Sequence, residues 1–226
     1  MPNWVTCKFQ HISDMKIFRN VVINPETNQI DFNILLPMPE TLDISCPQYG
    51  ELPEGFVLPD IKNSTLDSFL QECLDKGASA SIALAHYNRQ KFGFPDWYDW
   101  RINHWGTKWN AVCEEEDAAM DGLPEFRTAW NMPEGWLRTL AKHVDFTLLY
   151  ADEDMGNNCG RVKAFHGEMA VEMPEYGAES IALAYYVRYG DNGKEFLTEC
   201  SMKIPNNENY QNAVQNYNDY INRNLK

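Results

Sequence analysis

The chain has 226 residues, of which 44% are apolar and 13% aromatic, and it carries a formal net charge of -14 at pH 7. That length suits one elaborated domain with a real core, and the composition excludes an intrinsically disordered chain. The acidic balance opposes binding to phosphate backbones and favours solubility or attraction to a basic partner surface, so nucleic acid is not an expected partner.

Residues 3–10 alternate like a half-buried strand, and a short helix follows from about Asp14. Ile30–Leu36 reads as a second strand, ended by Pro37-Met38-Pro39 because proline cannot donate to a ladder. Residues 40–62 are rich in turn formers and read as an irregular insertion. Leu66, Phe69, Leu70, Cys73 and Leu74 then form the apolar stripe of a helix started by Ser64 with Asp67 and stopped at Gly77. A second helix runs from about Ser79 to Lys91, and a third over 96–105, capped by Asp96 and terminated by Gly106.

Trp109–Glu114 and Glu125–Trp130 read as strands flanking the acidic run Glu114-Glu115-Glu116-Asp117. Asn131 with Glu134 makes a capping pair for a helix bearing Trp136, Leu137, Leu140, Ala141 and Val144. Phe146–Ala151 is a strand, and Arg161–His166 pairs with Met169–Met173. Beyond Pro174, Asn192-Gly193 between Tyr185–Tyr189 and Phe196–Met202 gives a hairpin signal, since both turn residues tolerate positive φ. Tyr210, Ala213, Val214, Tyr217, Tyr220 and Ile221 close the chain as one amphipathic helix.

This order predicts an α+β fold: a mostly antiparallel sheet with helices on one face, compatible with a ferredoxin-like core. The expected organisation is a domain over 1–173 with a helical insertion at about 40–108. Residues 174–226 add a C-terminal hairpin-plus-helix extension packed on the same domain. One internal echo, Ser81–Gln90 (SIALAHYNRQ) against Ser180–Tyr189 (SIALAYYVRY), agrees at seven of ten positions without extending further, and reads as local reuse rather than a repeat.

The densest unusual segment is Asp96–Asn110, which holds four of the seven tryptophans. On a helix, Tyr98, Ile102 and Trp105 share one face and Trp97, Arg101 and His104 another. Such a segment serves either as core or as a recognition surface anchored by tryptophan, tyrosine and arginine. Several motifs resemble the Api92-like family: Met1-Pro2-Asn3-Trp4, Phe32-Asn33 before Pro37-Met38-Pro39, Trp97-Tyr98-Asp99-Trp100-Arg101 before Trp105-Gly106-Thr107-Lys108-Trp109, Thr128-Ala129-Trp130, and Met155-Gly156 before Gly160-Arg161. The resemblance spans about residues 1–170. It implies a phage, plasmid or prophage setting and a ferredoxin-like domain, and it supplies no catalytic residues to carry over.

The chemistry-bearing residues are sparse. His11, His86, His104, His143 and His166 lack the i, i+4 spacing of a helix-borne zinc site, and the six cysteines contain no CxxC pair. Asp152-Glu153-Asp154 lacks the ligand spacing of a calcium loop, and Gly156 with Gly160-Arg161 is no phosphate loop. No metal, cofactor or catalytic residue is therefore expected, and the balance leans away from an enzyme. No apolar run reaches membrane-spanning length and the N-terminus lacks the regions of a signal peptide, so the expected location is the bacterial cytoplasm, without a membrane partner.

Two functions remain open at this point. The first is a non-enzymatic protein of a phage or plasmid that binds a host protein with a basic surface, inhibiting a defence or replication component, with acidic nucleic-acid mimicry as one route. Its candidate partner-binding residues are Tyr98, Trp100, Arg101, His104 and Lys108. The second is an enzyme or small-ligand binder with a pocket near Arg101, His104, Asp152 and Arg161.

Overall fold

The computed structural model describes residues 3–45, 52–113 and 122–225. The acidic run at 114–117, Cys46 and the first two residues lie outside them. In chain order the elements are β1 (Trp4–Ile12), α1 (Met15–Val22), α2 (Phe32–Leu35), α3 (Leu66–Asp75), α4 (Ala80–Phe92), α5 (Trp97–His104) and β2 (Glu125–Ala129). There follow α6 (Glu134–Leu140), β3 (Phe146–Ala151), β4 (Cys159–Phe165), β5 (Glu168–Glu172), α7 (Ala178–Tyr189), α8 (Gly193–Lys203), α9 (Glu208–Gln215) and α10 (Tyr217–Leu225). The chain divides into two compact units, Met1–Leu36 with Trp105–Lys226, and Pro37–His104.

The first unit is built on a five-stranded sheet of order β2-β1-β3-β4-β5 with every neighbouring pair antiparallel. Because β1 lies antiparallel between β2 and β3, those two strands are parallel to each other and α6 is their crossover. This is the split β-α-β of a ferredoxin-like fold. The fold is α+β, as the element order predicts.

The sheet is covered on both faces, not one. β3 explains why: Leu148 and Leu149 are consecutive and both fully buried, and neighbouring strand residues point to opposite faces. On the Leu148 side, Phe9 meets Phe18 of α1 at 5.1 Å, and Phe126 meets Trp136 of α6 at 6.1 Å. Phe32 of α2 lies 4.6 Å from the Trp136 ring. On the Leu149 side, Leu149, Ala151 and Cys159 pack against Leu183, Ala184 and Val187 of α7. The opposite flank of α7, Ile181, Ala182 and Tyr185, packs with Leu197 of α8, Ala213 of α9 and Tyr217 and Ile221 of α10.

Several local expectations are corrected. Residues 30–36 form no strand: Asp31 accepts from the Asn33 amide at 2.9 Å and starts α2, leaving only the isolated bridge Ile23↔Ile30. The predicted strand from Trp109 is reduced, among the described residues, to the bridge Val112↔Arg127 beyond the β2 edge. α3 is capped by Thr65, not Ser64. α6 follows Pro133 with no side-chain cap, so Asn131 plays no capping role. The closing helix breaks at Asn216 into α9 and α10.

The largest correction concerns the C-terminal hairpin, which does not exist. α7 runs through Tyr189 and α8 begins at Gly193. A hairpin there would need positive φ at Asn192 and Gly193, whereas they sit at -81° and -56°. Gly193 is instead a close-approach glycine, where a Cβ would fall 2.7 Å from the Tyr185 carbonyl oxygen.

The second unit packs α3 against α4 around Phe69, Cys73, Ala83 and Tyr87. Ser79 caps α4 and Gly93 ends it at φ 84°, as the sequence predicts. Asp96 caps α5 by accepting from the amides of Tyr98 (2.9 Å) and Asp99 (3.2 Å).

Candidate functional site

Four of the predicted partner-binding residues, Tyr98, Trp100, Arg101 and His104, share α5 in the second unit, while Lys108 belongs to the first. Trp100 is only 5% exposed, and the His104 ring stacks on it at 4.2 Å and 8°. The His104 Nδ1 lies 2.9 Å from the Trp100 carbonyl oxygen, and Phe94 closes on its other side at 5.2 Å. Both side chains are thus engaged in packing. Arg101 lies over the Trp97 ring at 5.1 Å; burial lowers its pKa, against the raising effect of Asp43. Tyr98 is the member that presents its ring to solvent, at 38% exposure.

The alternative set is likewise divided: Arg101 and His104 lie in the second unit, Asp152 and Arg161 in the first. Within the first, Asp152 is buried and accepts from Asn3 (2.8 Å), Asn158 (3.1 Å) and the Asp154 amide (2.9 Å), which fixes the loop after β3. Arg161 pairs with Glu172 and donates to the carbonyls of Arg223 (3.2 Å) and Asn224 (3.1 Å), capping the end of α10. The Gly156 motif has a packing reason too: at φ 104°, a Cβ there would meet Ile181 of α7 at 3.0 Å.

The first unit assembles a different constellation around Lys108. The Thr107 hydroxyl donates to the Ala129 carbonyl at 2.8 Å and so fixes Lys108 beside the end of β2. The Lys108 ammonium then lies 3.7 Å from the Trp130 ring centroid and 4.2 Å from that of Trp109. Trp109 leans on Trp4 at 5.7 Å, and the Arg127 guanidinium lies 5.8 Å over Trp4. All three contacts, two from Lys108 and one from Arg127, lie within cation–π range. Trp130 is 41% exposed and held at φ 72°, an uncommon backbone state for a bulky residue.

Beside these rings lies a cavity of about 220 Å³ whose lining includes Trp4, Thr6, Glu125, Arg127, Glu153 and Arg188. Strand register explains its position. Thr6 pairs with both Arg127 and Ala151, and Lys8 with both Glu125 and Leu149, so these side chains share the face that α7 covers. Arg188, in the last turn of α7, reaches into this corner. Lys8 holds Glu125 at 3.3 Å, and Glu153 accepts from the Trp4 amide at 3.3 Å.

The buried thiols near the sheet are poor nucleophiles. Burial, then the charge of Asp152, pushes Cys159 up to about 12, and burial drives Cys7 higher still. Among the described residues, no group of three or more histidine, cysteine, aspartate or glutamate side chains is placed to hold a metal. No described helix is long and apolar enough to cross a membrane.

Residues 108–188 match the family model for the ferredoxin-like domain in Api92-like protein. The resemblance to the Api92-like family is thus borne out over residues 108–188, which hold the Lys108-Trp109, Thr128-Ala129-Trp130, Met155-Gly156 and Gly160-Arg161 motifs. The matched stretch contains Lys108, Trp109, Arg127, Trp130, Glu153 and Arg188, so the cation–π cluster and cavity are completed from outside it by Trp4 and Thr6 of β1. No curated protein and no solved structure matches the chain. Sequence reasoning selected Lys108 but missed Arg127, Trp130 and Arg188 as site residues. Thr128-Ala129-Trp130, already part of the Api92-like motifs, was the signal that pointed to this edge of the sheet.

Proposed function

We propose that the chain is a non-enzymatic binding protein of a phage or plasmid that acts in the cytoplasm of its bacterial host on a host protein with a basic surface. The observation that carries this reading is Lys108 held between Trp109 and the exposed, positive-φ Trp130. A bulky residue in a sparsely populated backbone state costs about 1–3 kcal/mol and persists where surrounding structure enforces it, a pattern common at functional sites. Tryptophan is also the side chain most often found as an interface anchor. The net charge of -14 supplies long-range attraction to a basic partner, and inhibition of a defence or replication component by acidic mimicry fits that charge.

The test is affinity capture from host lysate with wild type, Trp130→Ala, Lys108→Ala and Tyr98→Ala in parallel, each checked for folding by circular dichroism. One partner retained by the wild type and lost by the folded Trp130 and Lys108 variants supports the reading. Retention by both variants sinks this surface, and loss by Tyr98→Ala alone moves the interface to α5.

A further inference from the structure

We infer that the cavity between β1, β2 and the end of α7 is a binding site for a single carboxylate group, with Arg188 as its principal donor. The inference rests on the cavity and is independent of the proposed protein partner. Arg188 is unusual among the described residues. Its side chain is 19% exposed, and its Nε and Nη1 atoms are fully buried without a hydrogen-bond partner. Its Nη2 stands 3.9 Å from Glu153, beyond hydrogen-bond length. Buried donors are nearly always satisfied, so a guanidinium that lines a cavity with only a long ion pair to Glu153 calls for a further acceptor.

Charge and size narrow the ligand. Arg127 and Arg188 line the cavity against Glu125 and Glu153, and Lys8, outside the lining, neutralises Glu125 at 3.3 Å, which leaves one positive charge. A monoanion balances that charge, whereas a phosphate dianion would overshoot it beside Glu153. A carboxylate also matches the planar donor fork of a guanidinium. The volume of about 220 Å³ lies below the roughly 300–1,000 Å³ of sites for drug-sized molecules, so a carboxylate with a short stem fits and a nucleotide does not. Trp4 supplies an aromatic wall for that stem.

The carboxylate has two chemical sources, a free small acid or the end of a peptide. The purified full chain is titrated with acetate, with propionate, and with a short peptide bearing either a free or an amidated C-terminus. Binding is followed by tryptophan fluorescence and calorimetry, with inorganic phosphate at matched ionic strength as comparator. Saturable binding of the small acids assigns a metabolite-type site. Binding of the free-carboxylate peptide but not its amide, without the small acids, assigns a peptide end; both support the proposal.

Arg188→Gln weakens the binding about tenfold to a hundredfold, the loss expected for charge-assisted hydrogen bonds. Arg188→Lys keeps the charge without the fork and weakens it less, which covers the case in which the glutamine variant fails to fold. Absence of saturable binding by every carboxylate probe, tighter binding of phosphate, or undiminished binding in a folded Arg188→Gln overturns the proposal.

Discussion

Ser81–Gln90 and Ser180–Tyr189 share seven of ten residues, and each forms the body of a helix, α4 in the second unit and α7 in the first. α4 buries Ala83 and Tyr87 against α3, turns Asn88 to the carbonyls of Thr41 and Pro95, and leaves Arg89 in solvent. α7 is buried from Ser180 through Tyr185 and at Val187, with one flank on the sheet and the other on α8–α10. Its Arg188, the counterpart of Arg89, lines the cavity. The shared residues decide that a helix forms. What surrounds it decides whether an arginine is a solvated charge or a buried donor, and the three differing positions follow that division. Val187 meets the sheet where Asn88 donates to the carbonyls of Thr41 (2.6 Å) and Pro95 (3.3 Å).

The sharpest break of this comparison is truncation of the matched leucines. Leu183 is fully buried against Leu149 and Cys159, so Leu183→Ala costs about 2–5 kcal/mol in urea unfolding. Leu84→Ala, at a partly buried position, costs about 1 kcal/mol. Equal losses would show that α7 is no more central to its unit than α4. Exchanging Asn88 and Val187 comes next. Val187→Asn buries an amide against leucine and alanine, and Asn88→Val strands two carbonyl acceptors, each at about 1–3 kcal/mol. If either exchange leaves the melting temperature unchanged, the local environments are not as different as their partners indicate.

A smaller effect is confined to alkaline pH. Cys159 lies under α7, its thiol donating toward the Ser180 carbonyl at 3.4 Å, and burial raises its folded pKa to about 12. An unfolded thiol titrates near about 8.5. The neutral thiol therefore contributes stability that is fully present below that value and is lost as pH rises toward 12. Cys159→Ala flattens the stability profile in this window; an unchanged slope would mean that other groups set the alkaline limit. Cys73, beneath α4, is also raised by burial, and Cys73→Ala is the matched control.

These contrasts also show what the sequence makes legible. Period and caps locate α3, α4, α5 and strands β1 to β5, because Asp96, Ser79 and Gly93 act through neighbours a few residues away. The hairpin at Asn192-Gly193 fails because turn propensity is local, whereas the αR conformation at Gly193 comes with close approach to Tyr185. The second covered face of the sheet is hidden for a similar reason: only the pairing of Leu148 and Leu149 with different helices reveals it. The candidate site divides the same way. Lys108 stands out in a tryptophan-rich run, but Arg127 and Arg188 are 61 residues apart and are joined only by register and by the course of α7.

The smallest effect on stability is the most specific for function. Arg89→Gln removes a solvated charge and changes stability by less than about 0.5 kcal/mol, leaving carboxylate binding intact. Arg188→Gln removes a buried cation whose Nε and Nη1 have no acceptor, so the lost interaction with Glu153 at 3.9 Å is offset by relief of that desolvation. Its melting temperature therefore stays close to the wild type while binding falls. A large destabilisation would instead mark Arg188 as a structural ion-pair partner of Glu153, and would assign the echo's two arginines to stability in one unit and solvation in the other.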